Sequence, residues 1–313
     1  MTIRVQKPGL QTTIQSRPRT GLRHLGVPSS GPADALSMAL ANRLVGNTSF
    51  ETALETTLTG VTLAFVAESV IAITGATANC SLNDEIIQQH TTIAVKSGDV
   101  LTVGAAEAGV RSYVAVAGGL QADDILGSRS TYMTAGFGGL EGRSLIKGDE
   151  LRLADAAATA TELETPVEYR PPILNAWTVR TTRSAETEAL NAPDRLFDRR
   201  FTIASRSDRM GIMLEGETFE IESNRQMPSV PLFPGTIQCP HDGSLYLMSV
   251  DSGTTGGYPR VAKVARMDLH LLGQLRPGNG LTLVERSDDN AARGCQEKHA
   301  YWQAWLPDIA DVI

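Results

Sequence analysis

Four strings in this sequence concentrate side chains that move protons or hold anions. The first is His24-Leu-Gly-Val-Pro-Ser-Ser-Gly-Pro-Ala-Asp34, which supplies an imidazole, two hydroxyls and a carboxylate just ahead of an apolar periodic stretch. A helix beginning there would turn its free N–H groups and its dipole toward an anion; a capped loop with a structurally bonded His24 is the alternative. The second is Gly127-Ser-Arg-Ser-Thr131, followed by Gly136-Phe-Gly-Gly139 and Gly142-Arg143. Its hydroxyls and arginines on a glycine-rich backbone suit a phosphate or carboxylate. The third is Ser207-Asp-Arg-Met-Gly211, where Asp208 and Arg209 can hold one another and present the guanidinium to a carboxylate; a surface ion pair in a turn is the alternative.

The fourth string is the longest: Pro234-Gly-Thr-Ile-Gln-Cys-Pro240, then Asp251-Ser-Gly-Thr-Thr-Gly-Gly-Tyr-Pro259 and Lys263. Asp251 is suited to accept a proton or orient a donor. Thr254, Thr255 and the amides of Gly256 and Gly257 are suited to surround an oxyanion. Lys263, read as lying one turn into a following helix, would neutralise developing charge. The expected catalytic set is therefore Asp251, Lys263 and His24. The expected substrate-binding set is Ser30, Arg129, Ser130, Thr131, Arg209, Gln238, Thr254, Thr255, Gly256, Gly257 and Tyr258. The five histidines, at 24, 90, 241, 270 and 299, lack metal-ligand spacing, so no metal site is expected. There is neither a GxxxxGK[ST] phosphate loop nor a dinucleotide fingerprint in its proper context.

The elements that must position these residues are mostly short strands. Val61–Val66, Val70–Thr74, Val110–Ala117, Phe201–Ala204, Ser244–Val250 and Leu281–Val284 are rich in β-branched or large apolar residues and end in turn formers. Frequent glycine between them suits an all-β barrel or sandwich. Two helices are expected. One follows Ser30-Gly31-Pro32, with proline at its first position and Leu36, Leu40 and Leu44 as its apolar stripe, ending at Gly46-Asn47. The other runs from Val261 to Leu275. A turn glycine before an alternating strand recurs at Gly98, Gly148 and Gly278. Ala154–Thr165 has linker composition, so the expected spans are 1–160 and 161–290, followed by a tail at 291–313. That tail looks poorly structured from Ser287, but Tyr301, Trp302, Trp305 and Leu306 form an aromatic cluster expected to dock on a core or a partner.

Composition narrows the classes. With 313 residues, 42% apolar, 20% charged and a net charge of −7, the chain reads as globular rather than as a nucleic-acid binder. Its three cysteines are far apart, which disfavours a disulfide framework or structural zinc and suits a reducing compartment. The opening residues Met1–Val5 carry no long apolar stretch, and the run near Val61–Thr74 is too short to span a bilayer; no membrane association and a cytoplasmic location are expected.

Taken together, the strings resemble the family of allophanate hydrolase subunit 2, also called biotin-dependent carboxyltransferase-like. The residues that carry the resemblance are His24–Gly31, Asp34, Ala41-Asn-Arg-Leu-Val-Gly-Asn47, Leu54-Glu55, Thr74-Gly-Ala76, Arg111, Tyr113, Ala117-Gly-Gly119, Gly127–Thr131, Ser207–Gly211, Pro234–Gln238, Thr254–Pro259 and Gln274–Gly278. They follow one another in order over about residues 9–285. The resemblance implies a mainly β fold of two tandem cyclophilin-like β-barrel domains with a few short helices. It implies a subunit of an ATP-dependent 5-oxoprolinase that works with subunits A and B to open 5-oxo-L-proline to L-glutamate. The alternatives within it are a urea carboxylase-like transferase fed by carboxybiotin, and a non-catalytic binder of a B-type subunit. The chain departs from the family pattern at Ser16 and Pro18, in residues 181–186, at Gly253 where glutamine is usual, and at Ile212-Met213.

Overall fold

The structure, a computed structural model, describes residues 2–154, 161–221 and 227–313. The chain forms two compact units. The first comprises Met1–Arg19, Ser30–Ile173 and Trp302–Val312; the second comprises Thr20–Ser29, Leu174–Tyr301 and Ile313. Relative to the spans expected from sequence, residues 20–29 belong with the second unit and 302–312 with the first. Of the linker reading over 154–165, residues 155–160 lie outside the described residues, while the Leu163 carbonyl accepts the Thr92 N–H and the N–H of buried Thr165 donates to the His90 carbonyl.

Among the described residues the first unit has nine strands: β1 (Thr2–Lys7), β2 (Gln11–Gln15), β3 (Ala53–Thr57), β4 (Thr62–Phe65), β5 (Ser69–Leu82), β6 (Glu85–Ile87), β7 (Ile93–Val95), β8 (Val100–Val116) and β9 (Glu150–Arg152). They hydrogen-bond in the order β2-β3-β8-β4-β1-β9, with β5 paired to β8 and carrying β6 and β7. The alternation that marks a half-buried strand is visible in β1, where Ile3 and Val5 are buried while Arg4 is exposed. Ile14, Leu54, Leu63, Ile73, Leu101 and Val114 fill the core between them. Each such side chain contributes roughly 1.5–3 kcal/mol by leaving water. The long β5/β8 pair shifts register after Gly75, whose φ is +93°. A Cβ there would lie 2.4 Å from the Arg111 carbonyl oxygen, so only glycine fits.

The helix expected after Pro32 is α1 (Ala35–Leu44), and its start is set differently from the sequence reading. Pro32 precedes the helix, and Asp34 caps it. The Ser37 N–H donates to Asp34 Oδ1 at 3.0 Å. Leu36, Leu40 and Leu44 are fully buried, and Gly46 closes the C-terminus with φ +77°.

The second unit is a barrel closed on itself. Its strands are β10 (Ala176–Arg183), β11 (Arg200–Ile203), β12 (Gly211–Glu215), β14 (Thr236–Gln238), β15 (Leu245–Met248), β17 (Arg260–Val264) and β18 (Gly280–Glu285), with α2 (Arg195–Asp198) between the first two. The order is β10-β17-β14-β15-β12-β11-β18, and the parallel β10/β18 pair completes the circle. Closure leaves no unpaired edge. Val179, Phe201, Ile203, Ile237, Leu247, Leu281 and Leu283 fill the interior. A small ribbon pairs β13 (Val230–Pro231) with β16 (Thr255–Gly256).

The helix expected over Val261–Leu275 is two elements. Val261, Ala262 and Val264 are interior residues of β17, Ala265 is extended, and a 3-10 helix covers Arg266–Gln274. The apolar spacing that suggested one helix runs across this break. Lys263 therefore sits in mid-strand, opposite Thr236 and Thr182. The segment after Ser287 is also ordered: α3 spans Asp288–Trp302 and α4 spans Ile309–Val312. Ser287 Oγ accepts from the Asn290 N–H, and two aspartates occupy the first turn, where they complement the dipole. Of the aromatic cluster, Trp302, Trp305 and Leu306 belong to the first unit, while Tyr301 is half-exposed and belongs to the second. Tyr169 meets Trp302 and Trp305, Arg43 lies over Trp305, and Trp302 and Leu306 are buried.

The recurring glycine turn has one geometry at all three places. Gly98, Gly148 and Gly278 take φ of +93°, +97° and +85°. Their N–H groups donate to Phe65, Val5 and Ile203 carbonyls across the sheet, and each leads into a strand: β8, β9 and β18.

Candidate functional site

In the second unit, residues more than two hundred positions apart line one cavity of about 460 Å³: Arg23, His24 and Gly26 from one segment, and Pro231, Leu232, Phe233, Thr254 and Thr255 from another. His24 lies in a 3-10 turn, Arg23–Leu25, that ends at Gly26 with φ +82°. Thr254 and Thr255 stand at the β13/β16 ribbon, where the Leu232 N–H donates to the Thr254 carbonyl at 2.9 Å. Arg23 ties the two segments together. Its Nε donates to the Leu232 carbonyl at 2.9 Å and its Nη2 to the Gly253 carbonyl at 3.0 Å. An imidazole, two threonines and a guanidinium thus share one concavity, a set able to hold a polar ligand and exchange a proton with it.

Lys263 borders a neighbouring cavity of about 640 Å³, which shares Phe233 with the first and is otherwise lined by Pro234, Leu269, Ala291, Cys295 and His299 among others. The Phe233 ring has two cations near it, Lys263 Nζ and the Arg23 guanidinium, each 5.5 Å from the ring centroid. Both distances are within reach of the ring quadrupole.

Arg209 and Asp251 form a buried bidentate pair, Nε to Oδ2 at 2.6 Å and Nη2 to Oδ1 at 3.2 Å. The expected Asp208–Arg209 pairing is replaced. Asp208 Oδ1 instead accepts the Met210 and Gly211 amides, because a carboxylate beside the turn reaches those N–H groups more readily than the neighbouring guanidinium. Asp251 is thereby committed to Arg209, and the Asp251 N–H to the Arg209 carbonyl. Gln238 is buried and donates from Nε2 to the Tyr258 carbonyl at 3.0 Å. Gly256 fits against it, since an added Cβ would meet Leu232 Cδ1 at 2.7 Å and Gln238 Nε2 at 2.8 Å. Gly257 follows in the same loop, and Tyr258 is half-exposed with its ring edge-on to His241.

In the first unit the Gly127–Thr131 string is held from inside. Ser130 Oγ donates to the Ser16 carbonyl at 3.0 Å, and Thr131 Oγ1 to the Ile14 carbonyl at 2.9 Å. Arg19 is buried and donates to the carbonyls of Ile125, Ser128 and Ser130. Arg129 is the member that faces outward, 3.7 Å from Glu51, at a polar cavity of about 230 Å³. Ser30 is buried at φ +52°, and its hydroxyl has no partner among the described residues. Nearby in the chain, a closed polar cluster supports the start of α1. Tyr113 donates to Glu55 Oε2 at 2.8 Å, its oxygen accepts the Asp34 N–H, and Glu55 also accepts the Ala33 N–H. Burial, then the Glu55 and Asp34 charges, push the Tyr113 hydroxyl well above its ordinary pKa.

Sequence reasoning missed Arg23 and Phe233. Arg23 adjoins His24 in a stretch free of acidic residues, and that was the available signal. Among the described residues no group of three or more His, Cys, Asp or Glu could hold a metal, and no helix is long and apolar enough to cross a membrane. The three cysteines are free.

Comparison with known proteins assigns the chain. Residues 25–285 match the model of the carboxyltransferase domain, subdomain A and B, and the chain belongs to that family. It is 32% identical to the C subunit of Escherichia coli 5-oxoprolinase, over 97% of this chain and 98% of that protein. It is also 32% identical to urea amidolyase of Saccharomyces cerevisiae, over 92% of this chain but 17% of that protein. Among solved structures, the Kluyveromyces lactis urea carboxylase superposes with a TM-score of 0.88 at 32% identity, covering 95% of this chain and 29% of that one. The chain thus spans under a third of these two longer yeast relatives and nearly the whole of the bacterial one.

Proposed function

We propose that this chain is the C-type subunit of an ATP-dependent 5-oxoprolinase, acting in a heteromeric, cytoplasmic complex with A- and B-type subunits. The observation that carries this reading is the end-to-end match to the C subunit of a 5-oxoprolinase, 97% of one chain against 98% of the other. The chemistry is the opening of a lactam. An amide carbonyl is a poor electrophile; transfer of a phosphoryl group from ATP to its oxygen activates the carbon to addition of water. The adduct expels the ring nitrogen, which takes up a proton, to leave an acyl phosphate, and a second water releases phosphate and the new carboxylate. The protein's part in such a step is to bind the ring, orient it and manage protons. The 460 Å³ cavity supplies His24 as the proton-exchanging group and Thr254 and Thr255 as donors toward the developing oxyanion. Gly256, Gly257, Gln238 and Tyr258 shape that loop, and the Arg209–Asp251 pair braces it. Lys263 adds positive charge beside Phe233. In the first unit, Ser30 and Arg129 are proposed as further polar contacts for a ligand, with Ser130 and Thr131 holding the backbone that presents Arg129.

A second reading, a carboxyltransferase that moves CO2 from carboxybiotin to a urea-like acceptor, is favoured by the superposition on urea carboxylase. Reconstitution decides between them. The chain with its A and B partners is supplied with 5-oxo-L-proline and ATP, and in parallel with a biotin carboxylase, a biotinylated carrier, bicarbonate, ATP and urea. ATP-dependent glutamate release only when all three subunits are present is the expected result. Carboxylation of urea without glutamate release would overturn it.

A further inference from the structure

Arg23 is a half-buried cation that no carboxylate pairs with among the described residues, its guanidinium lying 5.5 Å from the Phe233 ring centroid. The guanidinium has five N–H donors. Nε–H goes to the Leu232 carbonyl and one Nη2 hydrogen to the Gly253 carbonyl. Nη1 is screened from water and has no hydrogen-bond partner among the described residues. Neither acceptor carries a charge, and among the described residues Arg23 makes no ion pair. Arg129, Arg209 and Arg260 each have a carboxylate within 4.0 Å. Burial alone pulls the Arg23 pKa below its ordinary value, the sign of a cation without compensation. The two carbonyls fix the plane of the guanidinium, and Nη2, whose bond to Gly253 is solvent-exposed, has a second hydrogen to donate in a residue that lines the 460 Å³ cavity. Such a cation is stabilised by an arriving anion, and the orienting bonds are already formed.

We propose that Arg23 is the anion anchor of this cavity and that the ligand it selects is a small carboxylate. This rests on the reading above, in which the carboxylate is that of 5-oxo-L-proline, and it deepens that reading by separating the candidate substrates. Urea is neutral and offers the guanidinium only an uncharged carbonyl oxygen, whereas a lactam with a carboxylate on its ring offers an ion-paired hydrogen bond. His24, Thr254 and Thr255 then face the remainder of the ring.

The test compares binding of 5-oxo-L-proline with that of 2-pyrrolidinone, the same lactam without the carboxylate. Calorimetry is run on the purified chain and on the reconstituted complex of all three components. The wild type should prefer the carboxylate by about tenfold or more, the effect of one charge-assisted bond. Arg23→Gln should erase the preference while changing 2-pyrrolidinone affinity by less than about twofold, and Arg23→Lys should keep part of it. Arg23 also holds two backbone carbonyls, so each variant's melting temperature is measured. If Arg23→Gln melts early, Arg23→Lys carries the comparison. Equal affinity for the two lactams, a preference that survives Arg23→Gln, or no binding of either lactam to chain or complex would overturn the anchor. Carboxylate preference without glutamate release would sink only the 5-oxoprolinase reading. Glutamate release with a preference indifferent to Arg23 would sink only the anchor.

Discussion

Asp251 and Arg209, 42 positions apart, hold one another through two hydrogen bonds in a site where each side chain is about 5% exposed. A carboxylate so engaged braces the loop that carries Thr254 and Thr255. Removing one partner strands a buried charge, which costs about 3–5 kcal/mol. Asp251→Ala and Arg209→Ala should each lower the denaturation midpoint strongly, and the apolar double variant Arg209→Met/Asp251→Leu should be less destabilised than either. A double variant as unstable as the sum of the singles would show that the two residues act independently.

Acid should weaken the first unit through His90. Burial, and then the nearby Arg170 charge, lower its pKa to about 4. The unfolded imidazole binds a proton near pH 6.5, so between pH 6.5 and 4 the unfolded state holds more protons than the folded one. Stability is therefore lost as pH falls through that window, by up to about 3 kcal/mol. His90 takes φ +64°, so His90→Asn is the variant that tolerates the backbone. Its stability should vary less between pH 6.5 and 4 than that of the wild type, as followed by urea denaturation.

Alkali should act through Tyr113, whose pKa is raised well above the ordinary value by burial. The unfolded phenol ionises near pH 10 while the folded one stays protonated, so stability contributed below pH 10 is lost as pH rises beyond it. Tyr113→Phe should flatten that alkaline limb. It should also cost about 1–3 kcal/mol at neutral pH, because the Asp34 N–H and Glu55 each lose a partner.

Two glycines of one loop should respond oppositely to a side chain. A Cβ at Gly253 meets only the Thr255 carbonyl oxygen, at 3.5 Å, so Gly253→Gln should leave the melting temperature nearly unchanged. A Cβ at Gly256 would lie 2.7 Å from Leu232 and 2.8 Å from the buried Gln238 amide. Gly256→Ala should cost about 1–3 kcal/mol by overpacking. Differential scanning calorimetry of the two variants checks both.

Much of the fold was legible because its strands carry local signatures. β-branched runs marked β5, β8 and β18, and the Leu36/Leu40/Leu44 stripe marked α1. Lys263 was misplaced because a short apolar strand followed by a 3-10 helix imitates one helical period. The α3 helix was missed because its only buried residue is Trp302, leaving no apolar stripe to read. Pairings across the chain were out of reach for a different reason. Arg23 meets Gly253 across 230 positions, and the fold alone brings such residues together. Strings rich in hydroxyls were legible as strings, but whether Ser130 and Thr131 serve a ligand or the backbone depends on where β2 runs beside them.

The central claim is tested most directly at His24. Glutamate formed from 5-oxo-L-proline and ATP is measured for the three-component complex containing either the wild-type chain or His24→Ala. His24 is exposed, so the variant should fold and assemble normally. The account predicts a loss in kcat of about a hundredfold or more, the contribution of a positioned proton donor or acceptor. An assembled complex with His24→Ala that releases glutamate at the wild-type rate would contradict it.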